Sequence, residues 1–396
     1  MNPTNHVDGA ANVDMMISAS ILSARRLFDI PSGVAYLNCA AQAPALRAVH
    51  AVGAAALARQ THPWTISSAQ TVADVERARS LFAGLVGADA DGVALTPSVS
   101  YGLAVAAANI PLAPGRRVVL LGEQFPSNVY VWREAAARAG AAVETVLRAT
   151  DDDWTAAVLA VVDEGVAVVA VPQCHWIDGG LLDLSRVGAR ARDVGAALVV
   201  DATQSVGVLP LDIAEARPDF LVAITYKWLL GPQGLGFLYV APRYREGRSI
   251  ESNWVARSGS EDFTQLTAYR AAYQRGARRF DMGGRNNSLL LPMVVAGLEQ
   301  VSAWGVPAIS AAIRPLAERI EREAARLGLR VVPARLRGRH IVGLRFPLGL
   351  PDDLPRQLAA ARVFASVRAG ILRVSPHVYN TLGDVDQLYD VLARAL

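Results

Sequence analysis

Two ionisable residues close apolar runs a couple of dozen positions apart: Asp201 follows LVV, and Tyr226-Lys227 follows FLVAIT. A glycine-rich turn, GPQGLG at 231–236, leads into a third run. Continuous Val/Leu/Ile runs with polar residues at their C-terminal ends are the mark of buried parallel strands, and open α/β sheets bind ligands at those ends. A lysine behind so apolar a run is partly stripped of water, which favours the neutral amine, a group able to form a Schiff base with a carbonyl. Pyridoxal 5'-phosphate (PLP) is the cofactor such a lysine serves, and its pyridinium nitrogen needs an acidic partner. Lys227 and Asp201 fit those two roles. Taken singly, a surface lysine and a helix-capping aspartate account for them as well. The pair together, with Gln204 three residues after Asp201 and the glycine turn after Lys227, points to the cofactor.

The combined pattern, DATQ at 201–204 followed by YKWLLGPQGLGFLYV at 226–240, resembles the class V aminotransferases. These are the fold-type I PLP group that includes cysteine desulfurases, kynureninase and isopenicillin N epimerase-like proteins. The resemblance runs from about residue 30 to the C-terminus. It implies an α/β fold of the fold-type I PLP-dependent transferase kind: a large domain with a mostly parallel seven-stranded sheet and a small C-terminal α/β domain. On this basis residues 1–26 form an N-terminal arm, 27–265 the large PLP-binding domain and 266–396 the small domain.

Elements around the central stretch supply the rest of the expected site. VALTPSVSYGLAVAAA at 93–108 reads as a strand, a Ser/Thr-rich turn and a helix, and a helix N-terminus offers free N–H groups and a positive dipole end to a phosphate. The resemblance places the PLP phosphate there, on Ser98 and Val99. Ordinary capping by a serine uses the same donors. The resemblance further implies that Phe125 stacks on the pyridine ring, that Gln204 bonds its phenolic oxygen and that Tyr226 contacts the phosphate. Desulfurases carry an Asn where Trp176 stands, so His175 and Trp176 become candidates for contact with cofactor or substrate. A buried structural histidine is an equal account of His175. Asn38, on a small-residue turn, lies at the expected mouth of the site. Gly284 stands where many relatives place a Thr that reaches the partner's phosphate, with Arg285 as a substitute donor. ILRVSPHVYNT at 371–381 resembles the family's carboxylate-binding signature, which makes Arg373 the grip for a substrate carboxylate.

The last third reads as helix 308–327, strands 329–333 and 340–346, helix 354–364, strand 370–374 and a helix after 384. Desulfurases place a nucleophilic Cys before the carboxylate Arg, whereas residues 365–372 are ASVRAGIL. The expected activity is therefore C–S β-elimination or a related side-chain cleavage on a substituted α-amino acid, such as an S-conjugated cysteine of secondary metabolism. An aromatic pocket of Phe125, His175, Trp176 and Trp64 suits a substrate larger than cysteine. Class V transamination or epimerisation is the alternative, and a non-catalytic α/β binding protein is the alternative of another class.

Composition narrows the partners. The 396 residues are 52% hydrophobic and 19% charged, with a net charge of +3. That apolar surplus suits a homodimer, the resemblance implies an active site at its interface, and arginines spread along the chain give no nucleic-acid footprint. Two cysteines without metal-ligand spacing indicate neither a disulfide framework nor a metal site, and a cytoplasmic location is expected. The apolar stretch 15–24 is too short to span a bilayer, and its arginines follow rather than precede it.

Overall fold

In the computed structural model, which describes Ile21 and residues 24–396, the apolar runs become strands with their side chains divided between two faces. The chain forms β1 (Ala35–Tyr36), then β2 (Val93–Thr96), β3 (Arg117–Leu121), β4 (Ala142–Val146), β5 (Val166–Pro172), β6 (Ala197–Asp201), β7 (Phe220–Ile224) and β8 (Gly236–Val240). Seven of these pair in the order β2-β8-β7-β6-β5-β3-β4. β8 alone runs against its neighbours; the other pairings are parallel. Every residue of β5, β6 and β7 is buried, as befits strands covered on both sides. Alternation assigns the faces: Val119 and Leu121 join one apolar cluster, Val118 and Leu120 the other.

A second layer follows, built on the antiparallel sheet β11-β12-β9. Its strands are β9 (Val342–Leu344), β10 (Val363–Phe364), β11 (Ser366–Arg368) and β12 (Ile371–Val374), with β10 pairing in parallel with β1. Helices Val306–Arg326 and Leu382–Ala395 pack on this layer. The latter starts at Thr381, whose capping box with Asp384 fixes the first turn.

Four boundaries differ from the sequence expectation. The helix expected over 354–364 ends at Ala360, because Arg362 turns left-handed (φ 56) and sends the chain into β10. Around 329–333 a single bridge, Arg330↔Arg345, replaces a strand. The division at 265/266 also moves. Met282, Leu291, Val294 and Leu298 belong to the large layer's core, Val301, Trp304, Ile309 and Ile313 share a cluster with Trp228 and Leu230, and packing on the small layer begins at Leu316. At the other end, Ala35 and Leu37 join the core of the small layer. The arm over 1–26 lies mostly outside the described residues. Its described end is pinned where Arg25 pairs with Asp384 at 2.9 Å and donates to the Val34 carbonyl. No helix among the described residues is long and apolar enough to cross a membrane.

Candidate active site

The carboxyl ends of the parallel strands converge on one cavity of about 320 Å3. β2 passes through Pro97 into the helix Val99–Asn109, where Ser98 is the N-cap and its Oγ accepts the Tyr101 N–H at 3.2 Å. The first N–H groups of a helix have no partner within it, and here Ser98, Val99 and Ser100 line the cavity. A second helix, Ser127–Ala139, starts beside them, and the hydroxyls of Ser100 and Ser127 are 3.4 Å apart. Two helix starts and two hydroxyls form a cup suited to a phosphate.

On the same cavity, β6 ends in Asp201 and the turn after β7 carries Tyr226 and Lys227, all three on its wall. Asp201 is 8% exposed and Lys227 7%. Burial raises the Asp201 carboxyl, against the opposing pull of Thr203 and Lys227. The Thr203 N–H donates to its Oδ1 at 3.0 Å. Lys227 Nζ lies 5.8 Å from the centre of the Phe125 ring and 5.6 Å from that of Tyr226. Phe125 is carried past the end of β3 by Glu123, a non-glycine residue at φ 53. Gln204 also faces the cavity, with its amide orientation fixed from behind. Its Oε1 accepts from Trp228 Nε1 at 2.8 Å and its Nε2 donates to the Ala40 carbonyl at 3.0 Å. One N–H of Nε2 is left to offer forward, so Gln204 presents a donor.

Burial lowers the Lys227 ammonium from 10.5 to about 8, with Asp201 opposing and Arg373 reinforcing the shift. Between pH 8 and 10.5 the unfolded chain holds a proton that the folded, PLP-free chain has released, so stability rises with pH through that window. Below it the folded state bears the full penalty of a buried ammonium, on the order of 3 kcal/mol. PLP-free Lys227→Met protein is therefore expected to be more stable than its parent at pH 7 and to lose that advantage by pH 10.5. Urea titrations at both pH values measure this; an advantage that does not change with pH excludes the shift.

Five expected contact residues stand off the cavity wall. His175 is fully buried, stacked 5.3 Å from Trp154, with Nε2 3.3 Å from the Gly122 carbonyl oxygen and Nδ1 3.5 Å from Asp178. Asp178 in turn pairs with Arg148 at 2.9 Å and Arg345 at 2.6 Å. His175 is thus a structural member of a buried ion network, which corrects its assignment to substrate. Arg285 is likewise buried, paired with Asp281, which also holds Arg79 at 2.9 Å and the Leu95 N–H at 2.7 Å. With its charge taken by Asp281 it is no donor to this chain's cup, and at neighbouring Gly284 a Cβ would meet open space. Asn38 is bridged through its backbone to Ser375, with Oδ1 buried and unpartnered.

Arg373 is 2% exposed and lies beneath Trp176, donating from Nη1 to its carbonyl at 2.8 Å. Trp176 does line the cavity; its Nε1 donates to the Glu123 carbonyl at 2.7 Å and its ring meets Phe125 edge-on at 5.4 Å. Of the expected aromatic pocket only these two rings come together. Trp64 is 77% exposed and packs on His62 instead. Sequence reasoning missed Ser127, Thr203 and Gln233 on the cavity wall; their nearness in sequence to Phe125, Asp201 and the glycine turn was the available signal. Both cysteines are buried, and burial pushes the Cys39 thiol up to about 12 and Cys174 higher still.

The family described as Aminotransferase class-V matches residues 36–388. The chain belongs to this family. An uncharacterised aminotransferase of Bacillus subtilis is 27% identical over 82% of this chain and 84% of its own. A kynureninase of Burkholderia mallei is 30% identical over 72% of this chain and 69% of its own. Among solved structures, a cystine C–S lyase complexed with cysteine persulfide shares the fold at TM-score 0.82 and 19% identity, covering 91% of this chain and 98% of that one. The protein is accordingly a PLP-dependent class V enzyme of fold-type I, related to cysteine desulfurases and kynureninases, and a non-catalytic binding role is set aside. The cavity fits the cofactor: Asp201 and Lys227 are both buried on its wall, and neither is paired with another charged side chain within ion-pair distance among the described residues.

Proposed function

We propose that this class V enzyme is a C–S lyase that cleaves S-substituted L-cysteines by β-elimination. The observation that carries the proposal is the wall beside Lys227. It is an edge-to-face pair of rings, Phe125 and Trp176, and the thiol that borders this cavity, Cys174, is fully buried and held protonated by that burial rather than presented as a nucleophile. A side chain leaving as a thiol packs against such a wall, whereas persulfide transfer needs an exposed cysteine of low pKa. When bound, PLP supplies an electron sink that makes the Cα–H bond of an amino acid acidic.

The roles proposed for the chain's own residues follow from their positions. Ser98, Val99, Ser100 and Ser127 hold the phosphate, with Tyr226 across from them. Asp201 holds the pyridinium proton, Gln204 donates to the phenolic oxygen and Phe125 keeps the ring flat. Lys227 anchors the cofactor's carbonyl carbon. Its Nζ, a buried amine whose surroundings favour the neutral form, is also the base for the Cα proton and then, as the ammonium, the acid beside the departing sulfur. The overall balance is S-substituted cysteine plus water giving thiol, pyruvate and ammonium. Incubating the holoenzyme with S-alkyl-L-cysteines and following products by mass spectrometry tests this. Thiol and pyruvate in equal amounts are expected. A keto acid that retains its sulfur, or a D-amino acid, overturns the lyase in favour of transamination or epimerisation.

A further inference from the structure

The hairpin that carries Arg373 holds more positive charge than its surroundings neutralise. Ala369 (φ 47) and Gly370 (φ 74) join β11 to β12 in the left-handed two-residue turn whose twist suits paired strands. Ser366 pairs with Arg373 and Arg368 with Ile371. Opposed residues share a face, and so do residues two apart along a strand, so Ser366, Arg368 and Arg373 all project to one side. Arg368 is the diagonal neighbour of Arg373, with Cβ atoms on the order of 7–8 Å apart.

Polar groups on that face lack partners. The buried Ser366 Oγ and Arg373 Nε have no hydrogen bond. Arg373 meets a carbonyl oxygen but no carboxylate among the described residues. Arg368 is half-buried and makes one hydrogen bond, to the carbonyl of adjacent Val367 at 2.8 Å. A buried guanidinium without an anion is costly. Burial first, and the charge of Arg368 second, push Arg373 down to about 10. Lys227 feels the same Arg368 charge. One substrate α-carboxylate satisfies Arg373. It leaves a second cation and a hydroxyl on the same face for another anion.

We infer that the site takes an amino acid with two anionic groups, the α-carboxylate on Arg373 and a carboxylate at the far end of the side chain on Arg368 and Ser366. Arg368 is then the specificity-determining residue. The choice of substrate, a cysteine whose sulfur bears a carboxyalkyl group, rests on the lyase reading; the anion site itself does not. With S-carboxymethyl-L-cysteine and water the products are mercaptoacetate, pyruvate and ammonium. The Cβ–S bond breaks, the Cα proton passes through Lys227 Nζ to sulfur, and no oxidant or reductant is consumed.

The test compares kcat/KM of the holoenzyme for S-carboxymethyl-L-cysteine and for its neutral amide, S-carbamoylmethyl-L-cysteine, in the parent, Arg368→Gln and Arg368→Lys. The parent is expected to prefer the acid by about ten- to a hundredfold, the worth of a charge-assisted hydrogen bond. That ratio falls toward one in Arg368→Gln and recovers in part in Arg368→Lys. A parent ratio near one, as when a second copy's acidic residue occupies Arg368, overturns the inference. So does a ratio unchanged in Arg368→Gln, because a merely structural role lowers both compounds alike. If neither compound releases thiol, the lyase reading fails instead. Dissociation constants for L-glutamate and L-glutamine, titrated on the cofactor's absorbance, then decide the anion site. A glutamate preference lost in Arg368→Gln supports it, and equal affinities overturn it.

Discussion

Lys227→Ala protein is expected to lose the borohydride-reducible absorbance of the holoenzyme and at least about 10⁴-fold in kcat. Both losses have one cause under the proposed roles, in which the same nitrogen anchors the cofactor and moves the Cα proton. The protein nevertheless stays folded. Removing an amine that burial has already driven down to about 8 relieves a penalty rather than creating one, and the apolar clusters on either side of the sheet are untouched. Circular dichroism of the variant checks the second point and absorbance with turnover the first. A variant that keeps more than about a hundredth of parental kcat refutes the role of Lys227.

Asp201→Asn is expected to reduce kcat by about 10²–10³-fold while leaving cofactor binding largely in place. The substitution preserves shape, and the amide oxygen still accepts the Thr203 N–H that Oδ1 accepts now. What disappears is the negative charge that, in the proposed role, keeps the pyridinium protonated. The phosphate cup at Ser98 and Ser127 lies on other elements and is unaffected. The carboxylate also raises the Lys227 pKa, so the variant's amine becomes less basic still. Equilibrium dialysis of PLP alongside turnover separates the two effects. Loss of binding in proportion to activity shows that Asp201 only holds the cofactor.

The sheet and the residues that line its cavity were legible because each lies within a few positions of a buried strand end. Asp201 closes β6, Lys227 follows β7 by three residues and Ser98 follows β2 by two. Short-range geometry carries such residues to the crevice whatever the rest of the chain does. His175 and Arg285 follow buried strands or precede helices in the same manner, yet each is consumed by an aspartate a turn away, Asp178 and Asp281. Whether a charge near a strand end faces a ligand or its own neighbour depends on which side the loop folds. Local pattern does not record that choice. The packing of Leu291, Val294 and Leu298 on the large layer has a longer-range cause. Gly297 brings the helix Leu290–Trp304 against the chain at Leu229 and Leu230, where a Cβ would stand 2.8 Å from the Leu229 carbonyl oxygen. Its apolar spacing alone could have packed on either layer.

The parallel pairing of β1 with β10, and the Arg25–Asp384 ion pair 359 positions apart, also order events during synthesis. All seven strands of the main sheet, with Asp201 and Lys227, leave the ribosome before β10 exists. Through that interval β1 has no strand beside it, and the apolar faces of Ala35 and Leu37 wait for partners at Leu372 and Val374. Such unpaired edges and faces are what chaperones hold and what aggregation exploits. Translation thus delivers the cavity-lining strand ends first and the hairpin of Arg368 and Arg373 last. A nascent chain that captured PLP early would be tethered to its cofactor before it could select a substrate.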